Sequence, residues 1–178
     1  MKQVFHAPQL ETKYCELGED LALKDCQIEG YASLFGARDQ GGDTVARGAY
    51  EASLGRGRAV KMLWQHDPGR PIGVWDEIRE DGRGLYVRGR ILAEVQAGRE
   101  ALALLEAGAI DGLSIGYRTV RAEKAEGGRR LLEIDLWEVS VVTFPMLPEA
   151  RVQPADAAAD ALAQDLAEAF AAARAVLA

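Results

Sequence analysis

Up to about residue 147 the chain is a succession of short apolar segments broken by turn residues. Segments 59–66, 72–79, 84–92, 113–122 and 131–144 have the length and the β-branched and aromatic content of strands. Segment 26–35 alternates loosely and runs into a polar turn, Gly36-Ala37-Arg38-Asp39-Gln40-Gly41-Gly42-Asp43. Asp81-Gly82 predicts a hairpin between two of the strands, and Gly127-Gly128 separates the last two. Helical spacing is found at 48–54, stopped by Gly55-Arg56-Gly57, and at 94–107. In the second of these Val95, Leu102 and Leu105 fall near one face, and Gly108 is a natural stop. Pro145 and Pro148 end the last strand.

The strand around Leu136-Trp137-Glu138-Val139-Ser140-Val141-Val142 carries apolar residues on both sides. Such a strand needs cover on both faces. With few helices to supply it, the pattern predicts a mainly β protein: a closed or nearly closed barrel with one or two helices packed outside. The tail differs. Between 155 and 178, 13 of 24 residues are alanine, and Leu162, Leu166, Phe170, Ala173 and Leu177 form one helical stripe with acidic residues around it. Val152-Gln153-Pro154 reads as a linker. The expected organisation is therefore a body over 1–151, then a linker and an acidic, alanine-rich amphipathic helix over 152–178.

Composition narrows the class without naming a function. At 178 residues, 48% hydrophobic and 28% charged, the chain is an ordinary globular domain with an appendage. A net charge of −7 argues against nucleic acid as a general partner. No segment has the length of a membrane span, and Met1-Lys2-Gln3-Val4-Phe5-His6 does not open a signal peptide, so the expectation is a protein that is not secreted. Cys15 and Cys26 read as reduced thiols, and two histidines with two scattered cysteines make no zinc pattern. Neither a metal nor a cofactor is expected. Arg56, Arg58 and Lys61 make a small basic cluster, read as a solvated loop end, with the grip on an acidic substrate segment as its sharper alternative.

The candidate chemistry is a base, a hydroxyl and an acid in separate strand-like segments. His66 closes Lys61-Met62-Leu63-Trp64-Gln65-His66-Asp67-Pro68, on the face of Trp64 and Met62. Ser114 lies between Gly112 and Gly116, opposite to Leu113, Ile115 and Tyr117. Two glycines on its own face leave an open floor, with backbone N–H groups at Ile115 and Gly116 as oxyanion donors. Glu138 and Ser140 share a face, opposite to Trp137 and Val139, where Glu138 could orient an imidazole. Each residue also has a plainer role: His66 as a strand-end residue before Asp-Pro, Ser114 as a small residue at a tight contact, Glu138 as the ion partner of Arg118.

Taken together these blocks say more. Met62-Leu63-Trp64-Gln65-His66-Asp67, Pro71-Ile72-Gly73-Val74-Trp75, Gly84-Leu85-Tyr86-Val87, Gly112-Leu113-Ser114-Ile115-Gly116-Tyr117 and Leu136-Trp137-Glu138-Val139-Ser140-Val141-Val142-Thr143-Phe144-Pro145 resemble, in this order, the prohead proteases of tailed bacteriophages. These are capsid-maturation serine peptidases distantly related to the herpesvirus assemblins. The resemblance runs from about Gly30 to Ala150 and takes in Tyr31-Ala32-Ser33-Leu34-Phe35 and Arg47-Gly48-Ala49-Tyr50. It implies an assemblin-like closed barrel of about seven strands with peripheral helices. It implies a serine endopeptidase that cuts the scaffold or delta segment from the major capsid protein precursor, and itself, inside the prohead assembling in a bacterial host's cytoplasm. His66 falls on the family's histidine and Ser114 on its nucleophile. Where assemblins use a second histidine, Glu138 is the substitute here and Ser140 the fallback. Kinship with assemblins also implies a homodimer.

Two rivals remain at the level of sequence. One is a non-enzymatic capsid assembly factor, a barrel with a sticky helix. The other is an esterase, since Gly112-Leu113-Ser114-Ile115-Gly116 spells the nucleophile-elbow pattern. That elbow is a strand-to-helix turn, whereas this segment continues as strand and no histidine follows it.

Overall fold

A computed structural model describes Glu11–Thr12 and residues 26–154 apart from 148. His6, Cys15 and the expected helix of the tail lie outside the described residues. The elements are β1 (Glu11–Thr12), β2 (Gln27–Leu34), β3 (Thr44–Val45), α1 (Glu51–Gly55), β4 (Lys61–Trp64), β5 (Asp67–Glu80), β6 (Gly84–Ile91), α2 (Gln96–Glu106), β7 (Gly112–Ala125), β8 (Gly128–Val142) and β9 (Val152–Pro154).

All nine strands belong to one curled sheet, ordered β1-β7-β8-β4-β5-β6-β2-β9, with β3 also on β8. Three antiparallel hairpins account for most of it: β4–β5, β5–β6 and β7–β8. The joint between them is the parallel pairing of β4 with β8, from Lys61↔Glu138 to Trp64↔Val141. The molecule is thus mainly β with two helices. The ladders curl the sheet into a half-barrel. Where the sheet curls back on itself, β7 meets the chain leading into β9 through one bridge, Gly112↔Arg151, flanked by Leu113 N–H to Ala150 O (3.3 Å) and Val152 N–H to Asp111 O (3.1 Å). Val152–Pro154, expected as a linker, is a strand on β2. Gly30 permits this crossing, because a Cβ there would lie 1.7 Å from the Arg151 carbonyl oxygen.

The concave side of the sheet holds the core. Ile28, Met62, Ile72, Leu85, Leu113, Ile115, Tyr117, Leu136, Val139 and Val141 are buried there with Leu102 and Leu105 of α2. The stop at Gly108 works as the sequence implies. Its φ of 65° lets Gly108 N–H bond Leu105 O and Ala109 N–H bond Leu104 O, a Schellman ending.

Two departures from the expected strands shape the site. The segment 59–66 is not strand to its end. Strand β4 stops at Trp64 and β5 starts at Asp67, paired Trp64↔Asp67, so Gln65 and His66 form a two-residue hairpin turn. Both have positive φ, 52° and 60°, as a type I′ turn demands. Turn chemistry usually shows as Asn-Gly or Asp-Gly, and Gln-His hides it. The second departure is a bulge. Gly116 pairs with Glu138 but Tyr117 pairs with Leu136, so Trp137 is the extra residue. The alternation resets there. Trp137 therefore leaves the core face expected for it and lies half-buried outside, between the guanidinium groups of Arg58 (4.3 Å) and Arg118 (4.4 Å).

Candidate active site

The hairpin turn places His66 over β8 and β7. Its backbone is fastened there: Gln65 N–H donates to Val141 O (3.0 Å) and His66 N–H to Ser140 Oγ (3.2 Å). The Gln65 side chain completes the clamp by donating to Thr143 Oγ1 (2.6 Å) and accepting from Thr143 N–H (3.3 Å). Gln65 and Thr143 gave no signal in the sequence, because their pairing depends on the non-local β4–β8 register.

From this turn the imidazole spans two partners. Nε2 lies 2.8 Å from Ser114 Oγ and Nδ1 lies 2.5 Å from Glu138 Oε1. Ser140 Oγ donates to the other carboxylate oxygen, Glu138 Oε2, at 2.5 Å. A carboxylate accepts only, so the bond at Nδ1 assigns the ring proton to that nitrogen and leaves Nε2 to accept from the serine hydroxyl. The group is nearly dry: the side chains of His66 and Glu138 are 9% and 5% exposed, and Ser114 and Ser140 are buried. Glu138 is thus occupied by His66 and Ser140, not by Arg118. The basic cluster is also accounted for in part, since Arg56 and Arg58 both bond Asp135 Oδ1, at 3.2 and 3.1 Å.

Gly116 has a steric reason. A Cβ at this position would stand 2.0 Å from Glu138 Oε1 and 2.6 Å from Cδ. The missing side chain makes room for the carboxylate. The backbone of β7 divides its donors by alternation. Leu113 N–H leaves toward Ala150 O, and the Val141 carbonyl opposite it is taken by Gln65. Ser114 and Gly116 therefore send their N–H groups into the β8 ladder, whereas Ile115 N–H points out of the other edge of β7, between Leu113 and the Tyr117 that pairs with Glu11. Of the two expected oxyanion donors, Ile115 faces outward and Gly116 does not.

Among the described residues no three His, Cys, Asp or Glu side chains converge in a metal-binding arrangement, and no helix is long and apolar enough to cross a membrane.

Comparison with known proteins bears on this geometry. Residues 12–165 match the family model described as caudovirus prohead serine protease. The chain is 34% identical over 130 residues to the prohead protease of Enterobacteria phage HK97, covering 70% of this chain and 58% of that protein. It is 31% identical over 101 residues to the capsid polyprotein of Pseudomonas phage PAJU2, covering 52% of this chain but 15% of that protein. It thus spans less than two thirds of the length of either relative. The structure resembles that of the bacteriophage T4 capsid assembly protease, with a TM-score of 0.61, 19% identity, and coverage of 79% of this chain and all of the other, a likeness of fold. The matched region contains His66, Ser114, Glu138 and Ser140, and the chain belongs to the caudovirus prohead serine protease family.

Proposed function

We propose that this protein is a serine endopeptidase that cuts the scaffold or delta segment from the major capsid protein precursor, and cuts itself, during maturation of a phage or phage-like prohead. The observation that carries the reading is the single imidazole bonded to Ser114 on one side and Glu138 on the other. In this reading Ser114 Oγ attacks the peptide carbonyl carbon while its proton passes to His66 Nε2. The tetrahedral intermediate collapses as the same proton goes to the leaving amine, and water repeats the sequence on the acyl-enzyme. Glu138 keeps the Nδ1 proton in place and stabilises the imidazolium. Ser140 holds the second carboxylate oxygen and the His66 amide, so it serves the acid and does not replace it. Ile115 N–H is the proposed oxyanion donor; such a donor is worth about 100- to 1000-fold in rate. No step calls for a metal or a cofactor.

Family membership supports the remaining parts of the proposal: the capsid precursor as partner, a homodimer, full closure of the curled sheet into a barrel, and action inside the assembling particle in the host cytoplasm. The acidic, alanine-rich composition of 155–178 supports one further part, a tail that docks on scaffold helices. The test is mass spectrometry of precursor capsid protein incubated with wild-type and Ser114→Ala chains. Cleavage by the first and none by the second is expected. Equal processing by both would overturn the reading and favour a non-enzymatic assembly role.

A further inference from the structure

The outer face of β7 reads Gly112, Ser114, Gly116, Arg118, since Leu113, Ile115 and Tyr117 fill the core. Across the bridge at Gly112 stands Arg151, which the pairing puts on the same face while its neighbour Val152 turns into the core. Ser114 therefore has an arginine beyond it in either direction along the strand. One is the cross-strand neighbour of the residue about 7 Å away, the other is about 13 Å along the strand itself. His66 and Glu138 approach from the β8 side, so Arg151 lies on the side of Ser114 away from the base.

Among the described residues neither arginine makes an ion pair, and Arg118 Nε and Arg151 Nη1 are buried without a hydrogen-bond partner. Arg118 rests on Trp137, and the carboxylate opposite it in the ladder, Asp135, is already engaged by Arg56 and Arg58. Arg90 and Arg129 of the sheet, by contrast, sit on Asp76 and Asp43. In a chain of net charge −7 anionic side chains are not scarce. Burying a guanidinium N–H without an acceptor is costly, and the cost is recovered when an anion supplies one.

We infer that the site takes an acidic peptide, with one substrate carboxylate held by Arg151 close to the scissile bond and a second held by Arg118 farther along on the opposite side. This rests on the peptidase reading above and adds the class of substrate. Of the basic cluster visible in the sequence, Arg56, Arg58 and Lys61, the two arginines are spent on Asp135; Arg118 is set by the alternation of β7 and Arg151 by the bridge at Gly112.

The experiment profiles cleavage of a proteome-derived peptide library by mass spectrometry, with full-length wild type, Ser114→Ala, Arg151→Gln, Arg151→Lys and Arg118→Gln. Wild type should enrich Asp and Glu on both sides of its cuts. Arg151→Gln should erase the enrichment nearest the cut and lower kcat/KM about 30-fold on acidic peptides while sparing neutral ones. Arg118→Gln should erase the more distant enrichment, and Arg151→Lys should retain the preference. Cuts by wild type with no excess of acid, or variants that slow acidic and neutral peptides alike, would overturn the inference and leave the peptidase reading standing. No cleavage by wild type above Ser114→Ala would instead overturn the peptidase reading, and this inference with it.

Discussion

Glu138 and Asp135 stand three residues apart on β8 and are put to opposite uses. Glu138 is met by an imidazole and a hydroxyl and is shut off from solvent. Asp135 is met by Arg56, Arg58 and the indole N–H of Trp137 at the rim of the sheet. An odd and an even position on one strand should face opposite ways. The bulge at Trp137 puts both on the outside, because the alternation restarts between them. One extra residue thus separates a carboxylate that is tied up in ion pairs from one whose partners are groups able to exchange protons. Burial pushes the Asp135 carboxyl up, but the hydrogen bonds from Arg58 and Trp137 and the positive charges of Arg58 and Arg56 outweigh it and hold it below the usual range.

The sharpest way to break this contrast is to neutralise each acid in turn. Glu138→Gln should lower kcat about 1000- to 10000-fold, because the amide can no longer fix the imidazole tautomer. Asp135→Asn should leave kcat within about twofold and cost about 1 kcal/mol of stability in urea unfolding. Equal losses of activity would erase the distinction. Gly116→Ala tests the space under Glu138: with a Cβ 2.0 Å from Oε1, the carboxylate must shift. We expect kcat to fall about 100-fold, with about 1–3 kcal/mol lost from overpacking. Ser140→Ala removes one bond to Glu138 and the acceptor of the His66 amide. Its expected effect is about tenfold in kcat, the scale of one charge-assisted hydrogen bond.

The smallest effect is on acid stability. Asp135 is joined here by Asp81, where burial again raises the carboxyl but the amides of Arg83 and Gly84, the Tyr31 hydroxyl and Arg79 bring it down to about 2. Both folded-state values lie below the unfolded one, near 3.9. Their stabilisation is therefore complete above about pH 4 and is lost as pH falls through the folded values. Urea midpoints should decline between about pH 4 and about pH 2, and Asp135→Asn should make that decline shallower. A midpoint that declines equally in the variant would remove Asp135 from the account.

The contrast also marks what the sequence could tell. His66, Ser114 and Glu138 stood out because each interrupts a run that packing alone would fill with apolar residues. Most strands and α2 were readable from period and stop signals. Three features were not. Gln65-His66 adopts a turn whose usual residues are glycine and asparagine, so the expected strand ran two residues too far. The bulge at Trp137 has no local signature, because β7 supplies the register that creates it. The parallel joint of β4 to β8, which clamps the histidine, links residues 77 positions apart in sequence at Lys61↔Glu138, beyond the reach of any pattern read in a window.

The join between Gly112 and Arg151 has a consequence of its own. The border of β7 with β8 is a ladder of thirteen pairs, whereas this one is a single rung with a hydrogen bond at either end. A seam so short is where a curved wall can part at least cost, through local opening that spares the rest of the structure. Ser114 thus sits two residues from an edge that unzips easily, next to the last described stretch of chain, so that tension applied beyond Pro154 would be felt early at the strand that carries it.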